Sequence, residues 1–378
     1  LSDSNGKINF FQACLILMLM NGLANHVIVN PMILDASGRD AWLSVLCAGT
    51  VLMLWFILLT WLMKRSGQQK LQPWLASKTR PAISWLLVLP ICVQLYLIGG
   101  MTVAHTAIWT LTNYLPNTPK LLLVVAITLI CALSAIWGIR ILAVTSAILL
   151  PFVIALGYFV STSNLPQKNF ELLKPIAEHG WPPIVDGMVY AGGGFVELIV
   201  FLVMQHRLST KISVWKMLVF AAISTYIMIG PVIGAITEFG PVEAAKQMES
   251  PYEQWRLVKL GSYVEHVDFF SIYQWLSGAI VRVGLSVFLL VDMLPIRQAR
   301  ARNWLIIAII FSFVIISMIP SMSTRFICGC TNTIFRYRSW LLCPFSSSGC
   351  SFRCLADRPR RKRHERGPFE RGAEMVGR

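Results

Sequence analysis

Charge is scarce in this sequence of 378 residues: Asp, Glu, Lys and Arg together make up 13% of it, about half the share of an average soluble domain. Hydrophobic residues make up 56% and the mean hydropathy is +0.63. Those values exclude an ordinary water-soluble enzyme and point to one polytopic membrane domain. Chemistry-bearing motifs are missing as well. There is no Gly-rich phosphate loop with its Lys, no nucleophile elbow and no paired-His metal motif, so neither an enzyme nor an ATP-driven pump is expected, and no cofactor or metal. A cleavable signal peptide is not evident either. The first apolar run leads into Asn21-Gly22 and Asn30-Pro31 without a small-residue cleavage site, and the sequence starts at Leu1.

Cysteine is unevenly spread. Cys14, Cys47, Cys92 and Cys131 stand singly in apolar runs, where Cys behaves as a small hydrophobe. Cys328, Cys330, Cys343, Cys350 and Cys354 crowd the last part of the chain. Their spacing matches no paired zinc pattern, and their odd number argues against a closed disulfide framework. Charge divides at the same place. Residues 1–320 carry 21 basic and 14 acidic residues, whereas residues 321–378 carry 12 and 4. The sequence therefore reads as a membrane domain over 1–320 and an atypical tail over 321–378.

Nine stretches are long and apolar enough to cross a bilayer: residues 8–34, 41–63, 82–114, 119–138, 141–163, 184–205, 212–237, 266–294 and 303–320. The third and eighth are long enough to tilt or to extend beyond it. With the N-terminus inside, 13 basic residues fall on inner segments and seven on outer ones, so the positive-inside rule favours a cytoplasmic N-terminus. Residues 164–183, with Pro166, Pro175, Pro182 and Pro183, cannot form one continuous helix. Residues 239–264 interleave Tyr252, Trp255, Leu257, Val258 and Leu260 with Glu253, Arg256 and Lys259. That pattern fits either an interfacial segment covering a vestibule or a plain surface helix.

Two spans carry interruptions. The first contains Asn21-Gly22-Leu23-Ala24-Asn25-His26, and the sixth contains Gly192-Gly193-Gly194 with Glu197 three residues on. Each interior Gly costs about 1 kcal/mol against Ala, so three in a row predict locally unwound backbone. Interruptions five spans apart are what an inverted five-plus-five repeat requires, and they point to a midplane site. The competing reading is that the glycines permit close helix packing. Freed amides suit a carboxylate and freed carbonyls suit an ammonium group, so a small zwitterion such as an amino acid would satisfy both. The candidate contacts are Gly22, Asn25, Gly192, Gly193, Gly194 and Glu197, together with Tyr96 of the third span and Tyr273 and Ser277 of the eighth. Glu197 either faces a ligand amine or braces the sixth span, and Arg282 either pairs with it or snorkels to the headgroups. Most such polar residues, His105 included, satisfy interhelical hydrogen bonds.

Three stretches together resemble the spore germination protein family, the membrane-embedded B subunits of endospore germinant receptors. They are Asp40-Ala41-Trp42-Leu43-Ser44-Val45; Leu173-Lys174-Pro175-Ile176 with Glu178-His179-Gly180-Trp181-Pro182-Pro183-Ile184, continuing to Gly194-Phe195-Val196-Glu197; and Glu249-Ser250-Pro251-Tyr252 through Trp275. The resemblance covers residues 7–320. It implies an all-α, ten-span inverted-repeat fold of the amino acid–polyamine–organocation superfamily, with interruptions at Gly22 and at Gly192 to Glu197. It also implies a sensor of a small nutrient in the spore inner membrane, partnered by an A subunit and a lipoprotein C subunit. His266 stands where the family often carries Arg.

The tail departs from that pattern. Residues 321–378 offer no apolar run of about 20 residues for a tenth span, and after nine spans their charge would lie outside. A frameshift near residue 321 accounts for both; the competing reading is a polybasic anchor for nucleic acid or anionic lipid. With the frameshift, no nucleic-acid partner is expected, and membrane lipids are the remaining surroundings. The alternative function for the membrane domain is a secondary amino acid or polyamine transporter, which needs the same site. A third is a purely structural scaffold. Should the first and sixth spans move and open an ion path, Glu197 and Asp268 are its nearest candidates.

Overall fold

Eight helical stretches are long and apolar enough to cross a membrane among the described residues of the computed structural model, which are 6–259, 267–296 and 298–319. The first stretch, Phe10–Arg65, holds two spans. It comprises α1 (Phe10–Leu23), a π-helical segment (Ala24–Val29), α2 (Asn30–Ser37) and, after a 3-10 turn, α3 (Ala41–Arg65). An Asn9/Gln12 capping box starts α1, each side chain accepting from the other residue's backbone N–H. Gly38, at φ +53°, makes the reversal between α2 and α3, a backbone state costly for any residue with a Cβ.

The remaining spans follow the apolar runs. A short helix, α4 (Leu71–Lys78), precedes α5 (Pro81–Asn113), α6 (Lys120–Trp137) and α7 (Ile139–Ser163). The sixth span joins α8 (Trp181–Val196), a 3-10 turn (Glu197–Ile199) and α9 (Val200–Met204). Then come α10 (Val214–Phe239), the short helices α11 (Pro241–Ala244) and α12 (Ser250–Arg256), α13 (Phe270–Met293) and α14 (Ala299–Met318). At 33 residues α5 is about 50 Å long at about 1.5 Å per residue, well beyond a hydrocarbon core of about 30 Å. In the eighth span, α13 has 24 residues and is about 36 Å long, a smaller excess over the same core. Residues 164–183 form no continuous helix, as their prolines predict: they hold two 3-10 turns, Leu165–Gln167 and Phe170–Leu173, before α8 opens at Trp181.

The exterior is lipid-like. Leu54, Leu86, Ile148, Phe152 and Phe311 are exposed along the helices, and Trp61, Trp137, Trp181, Trp215 and Trp304 near their ends form an interfacial belt. The chain is an integral membrane protein of the all-α class. α13 is the most enclosed span and α14 the least. A Cβ on Gly278 of α13 would lie 2.9 Å from Leu23 Cβ, so glycine there lets α1 and α13 approach closely.

Contacts between loops sort them onto two ends. Ile8 bridges Leu208, Arg140 Nε donates to the Lys7 carbonyl, Ser66 Oγ to Gln205 Oε1 and Gln68 Nε2 to the Thr210 carbonyl. This is the basic end. At the opposite end, Arg39 pairs with Glu178 and Asp40 accepts from the Ala177 N–H. There, too, Lys168 pairs with Glu238, and Asn164 Nδ2 donates to the Gln254 carbonyl. The loops thus alternate between the ends as the apolar pattern predicts.

Candidate functional site

The first span changes helix type where its asparagines cluster. The Ala24 N–H turns to the Asn21 carbonyl, and the Asn30 N–H closes a π-type bond on Asn25. The added residue per turn keeps Asn21, Asn25 and Asn30 all buried. Asn25 Nδ2 donates to Asn21 Oδ1 at 2.8 Å, and Asn21 Nδ2 donates to the Gly194 carbonyl of the sixth span at 2.9 Å. Asn25 Oδ1, fully buried, finds no donor. The interruption is therefore a π segment at 24–29 rather than unwound backbone at 21–26.

The sixth span corrects a second expectation. Gly192, Gly193 and Gly194 lie inside α8, which continues to Val196, and the irregularity follows as the 3-10 turn Glu197–Ile199. The reason is packing. A Cβ on Gly194 would stand 2.8 Å from Asn25 Oδ1 and 2.9 Å from Val29 Cγ2, so glycine lets the two spans touch. Close contact outweighs the intrinsic helix cost of glycine.

One turn inward, Glu197 and Arg282 form a bidentate pair, with Nη1 to Oε2 at 2.5 Å and Nη2 to Oε1 at 2.8 Å. Both residues are buried, at 6% and 2% exposure. Arg282 also donates from Nη1 to the Met20 carbonyl and from Nε to Thr102 Oγ1, each at 3.0 Å. A single guanidinium thus holds the first, third, sixth and eighth spans. The fork geometry suits Arg alone. Because cation and carboxylate neutralise each other, the cluster presents amide donors and acceptors rather than a bare charge.

Toward the end opposite the basic one an aromatic layer covers the asparagines. Trp109 of α5 and Trp275 of α13 stack at 4.0 Å, with Tyr114 and Tyr252 edge-on to Trp109. Trp275 Nε1 donates to Thr106 Oγ1. The segment around α12 closes over this layer. Asn30 Nδ2 donates to Ser250 Oγ at 2.8 Å, His105 pairs with Glu249 at 3.3 Å, and Trp255 Nε1 donates to Gln274 Oε1. Tyr252, Trp255 and Val258 are buried. Burial raises the Tyr252 hydroxyl above its ordinary pKa. Of the two readings of residues 239–264, the described part, to 259, is a cover over the bundle.

The predicted contacts do not all converge. Asn25, Gly194 and Glu197 lie in or beside the cluster, and Gly193 is buried within the same helix as Gly194. Gly192 is half-buried; Gly22 offers its carbonyl to His26 Nδ1, and a Cβ there would meet nothing. Ser277 is buried on α13. Tyr96 instead bonds Ser312 of α14 at 2.8 Å, and the Tyr273 hydroxyl faces the Leu149 carbonyl of α7 at 3.5 Å. Asp268 meets Tyr114. His266 and the cysteines of residues 321–378 lie outside the described residues. Reading by residue type missed Asn21, Asn30, Thr102 and Thr106. The signal was there: Thr102 and Thr106 are four apart, on one helix face.

The geometry has sequence counterparts. Residues 7–325 match the model of a family described as spore germination protein. Spore germination protein XB of Bacillus anthracis is similar as well: it is 40% identical over 319 residues, which cover 84% of this chain and 90% of that protein. This chain belongs to the spore germination protein family. As a family member it is a permease-like, non-enzymatic membrane protein of the transport or receptor type. The family match contains every residue of the midplane cluster.

Proposed function

We propose that this spore germination family member is the B subunit of a germinant receptor. It binds a small nutrient, an amino acid, between the first and sixth spans. The observation that carries this reading is the join of those two spans, beside the segments where each departs from α-geometry, by buried amides that include the donorless Asn25 Oδ1. A buried acceptor without a partner costs about 1–3 kcal/mol, and the ammonium of a ligand would satisfy it. Family membership supports a place in the spore inner membrane beside an A subunit and a lipoprotein C subunit. The basic end then faces the cytoplasm, together with the N-terminus.

The fold we infer is the inverted five-plus-five repeat. Its support is that the first and sixth spans, five apart, both change helix type near the midplane. We further propose that translation leaves frame near residue 321, so that residues 321–378 replace the tenth span. The family match ends at residue 325, close to that point. An apolar span encoded in another frame of the gene is the expected finding; two frames without one reject the idea.

The decisive functional experiment is a nutrient panel on spores that carry this receptor and no other. Response to one amino acid, lost in Asn25→Ala and Gly194→Leu variants, is the expected result. Accumulation of labelled amino acid by vesicles holding this chain alone would instead establish the transporter.

A further inference from the structure

Away from the midplane, a groove of about 630 Å³ opens between α1 and α10 on the lipid-facing side, toward the basic end. Its walls are apolar. Phe11, Cys14 and Met18 come from α1 and Trp215 and Val219 from α10, with Phe11 and Trp215 among the most exposed large hydrophobic side chains of the described residues. Polarity is confined to one mouth, where Asn9, Thr210 and Lys216 line it and no acidic residue does. Lys216 makes no ion pair among the described residues, and neither do Lys211 and Lys7 close by in the chain. Asp292, the acidic residue at this end among those described, is already engaged by His206 and Arg207.

We infer that this groove is a binding site for an anionic phospholipid. One acyl chain lies along the apolar floor between α1 and α10, and the headgroup phosphate meets the Lys216 ammonium. The argument is charge complementarity at a fixed depth. Apolar walls exclude a polar occupant, and an unpaired cation at the membrane surface, beside a groove that holds a chain, selects a negative headgroup over a zwitterionic one. A basic pocket between spans on the side rich in Lys and Arg is the setting in which such lipids are recognised. The occupied groove borders the span that carries Asn21 and Asn25, so the lipid would brace the outer face of that span.

Native mass spectrometry of the purified full-length chain, exchanged into micelles with phosphatidylglycerol or phosphatidylcholine of matched chains, tests this. The expected result is retention of phosphatidylglycerol at least fivefold above phosphatidylcholine. In Lys216→Gln and Lys216→Glu proteins that preference falls to the level of phosphatidylcholine. Lys78→Glu, the same charge change on α4, keeps it. Equal retention of the two lipids by the unaltered protein overturns the proposal. So does an unchanged preference in both Lys216 variants, or capture of a protein segment in the groove by a photo-crosslinker at position 215.

Discussion

The sixth and eighth spans are tied together twice, and the two ties differ in kind. At the midplane, Arg282 of α13 holds Glu197; ten residues further along each span, Asp292 of α13 holds Arg207, with His206 and Arg302 beside it. The polarity is exchanged, and the equal spacing shows the two spans running parallel. The midplane pair is closed off from solvent, with side chains at 2% and 7% exposure, whereas Arg207, His206 and Arg302 are at 16%, 17% and 30%. In the nearly dry pair Arg282 has a single carboxylate for a partner, and water replaces it poorly. The carboxylate of the half-wet cluster has several partners. The midplane tie therefore joins one guanidinium to one carboxylate, and the tie at the basic end shares one carboxylate among three basic side chains.

Removing either member of the dry pair is the harshest test of that difference. Glu197→Ala or Arg282→Met, each leaving an uncompensated buried charge, is expected to cost about 3–5 kcal/mol. The check is unfolding of the purified protein in nanodiscs. The double variant Glu197→Leu with Arg282→Met should recover most of the loss. Single losses no larger than the loss in Arg207→Ala would break the contrast with the basic end, where a charge-assisted hydrogen bond is worth about 1.5–3 kcal/mol.

Arg207→Ala comes next, because Asp292 keeps His206 as a partner. Loss of charge-assisted hydrogen bonds predicts about 1.5–3 kcal/mol in the same assay, reduced by the exposure of the guanidinium. Asn21→Ala should cost about 1–3 kcal/mol, as it strands the Gly194 carbonyl and the Asn25 amide. It sharpens the comparison by asking whether the amides of the midplane cluster are as rigid as its ion pair. The smallest effect is expected from Ser250→Ala, which removes one neutral hydrogen bond of about 0.5–1.5 kcal/mol to Asn30. Its readout is faster amide exchange in residues 250–256, with that of α13 unchanged.

Much of the architecture was readable before any coordinates. Apolar runs of about 20 residues have one outcome in a bilayer, so the spans among the described residues lie where the hydropathy places them, to within a few residues. Loops at the basic end and the opposite one alternate as counted from Lys and Arg. The pairing of Glu197 with Arg282 was one of two readings, and burial decided for it. Helix type inside the spans was not readable. Glycine has an intrinsic cost in a helix, and that cost predicts unwinding at 192–194; the contact of Gly194 with Asn25 and Val29 keeps the helix intact instead. Tyr96 and Tyr273 looked like candidates because hydroxyls in apolar runs need partners. Their partners turned out to be Ser312 and the Leu149 carbonyl on neighbouring spans.

The sequence by itself determined the membrane, the number of spans within the described residues, their boundaries and the family, because each follows from the order and polarity of residues along one chain. Which polar groups meet was decided only by tertiary structure. Met20, Thr102, Glu197 and Arg282 come from four spans and share no local pattern. Buried hydrogen bonds need partners within about 3 Å, and only the packing of four helices brings those atoms so close.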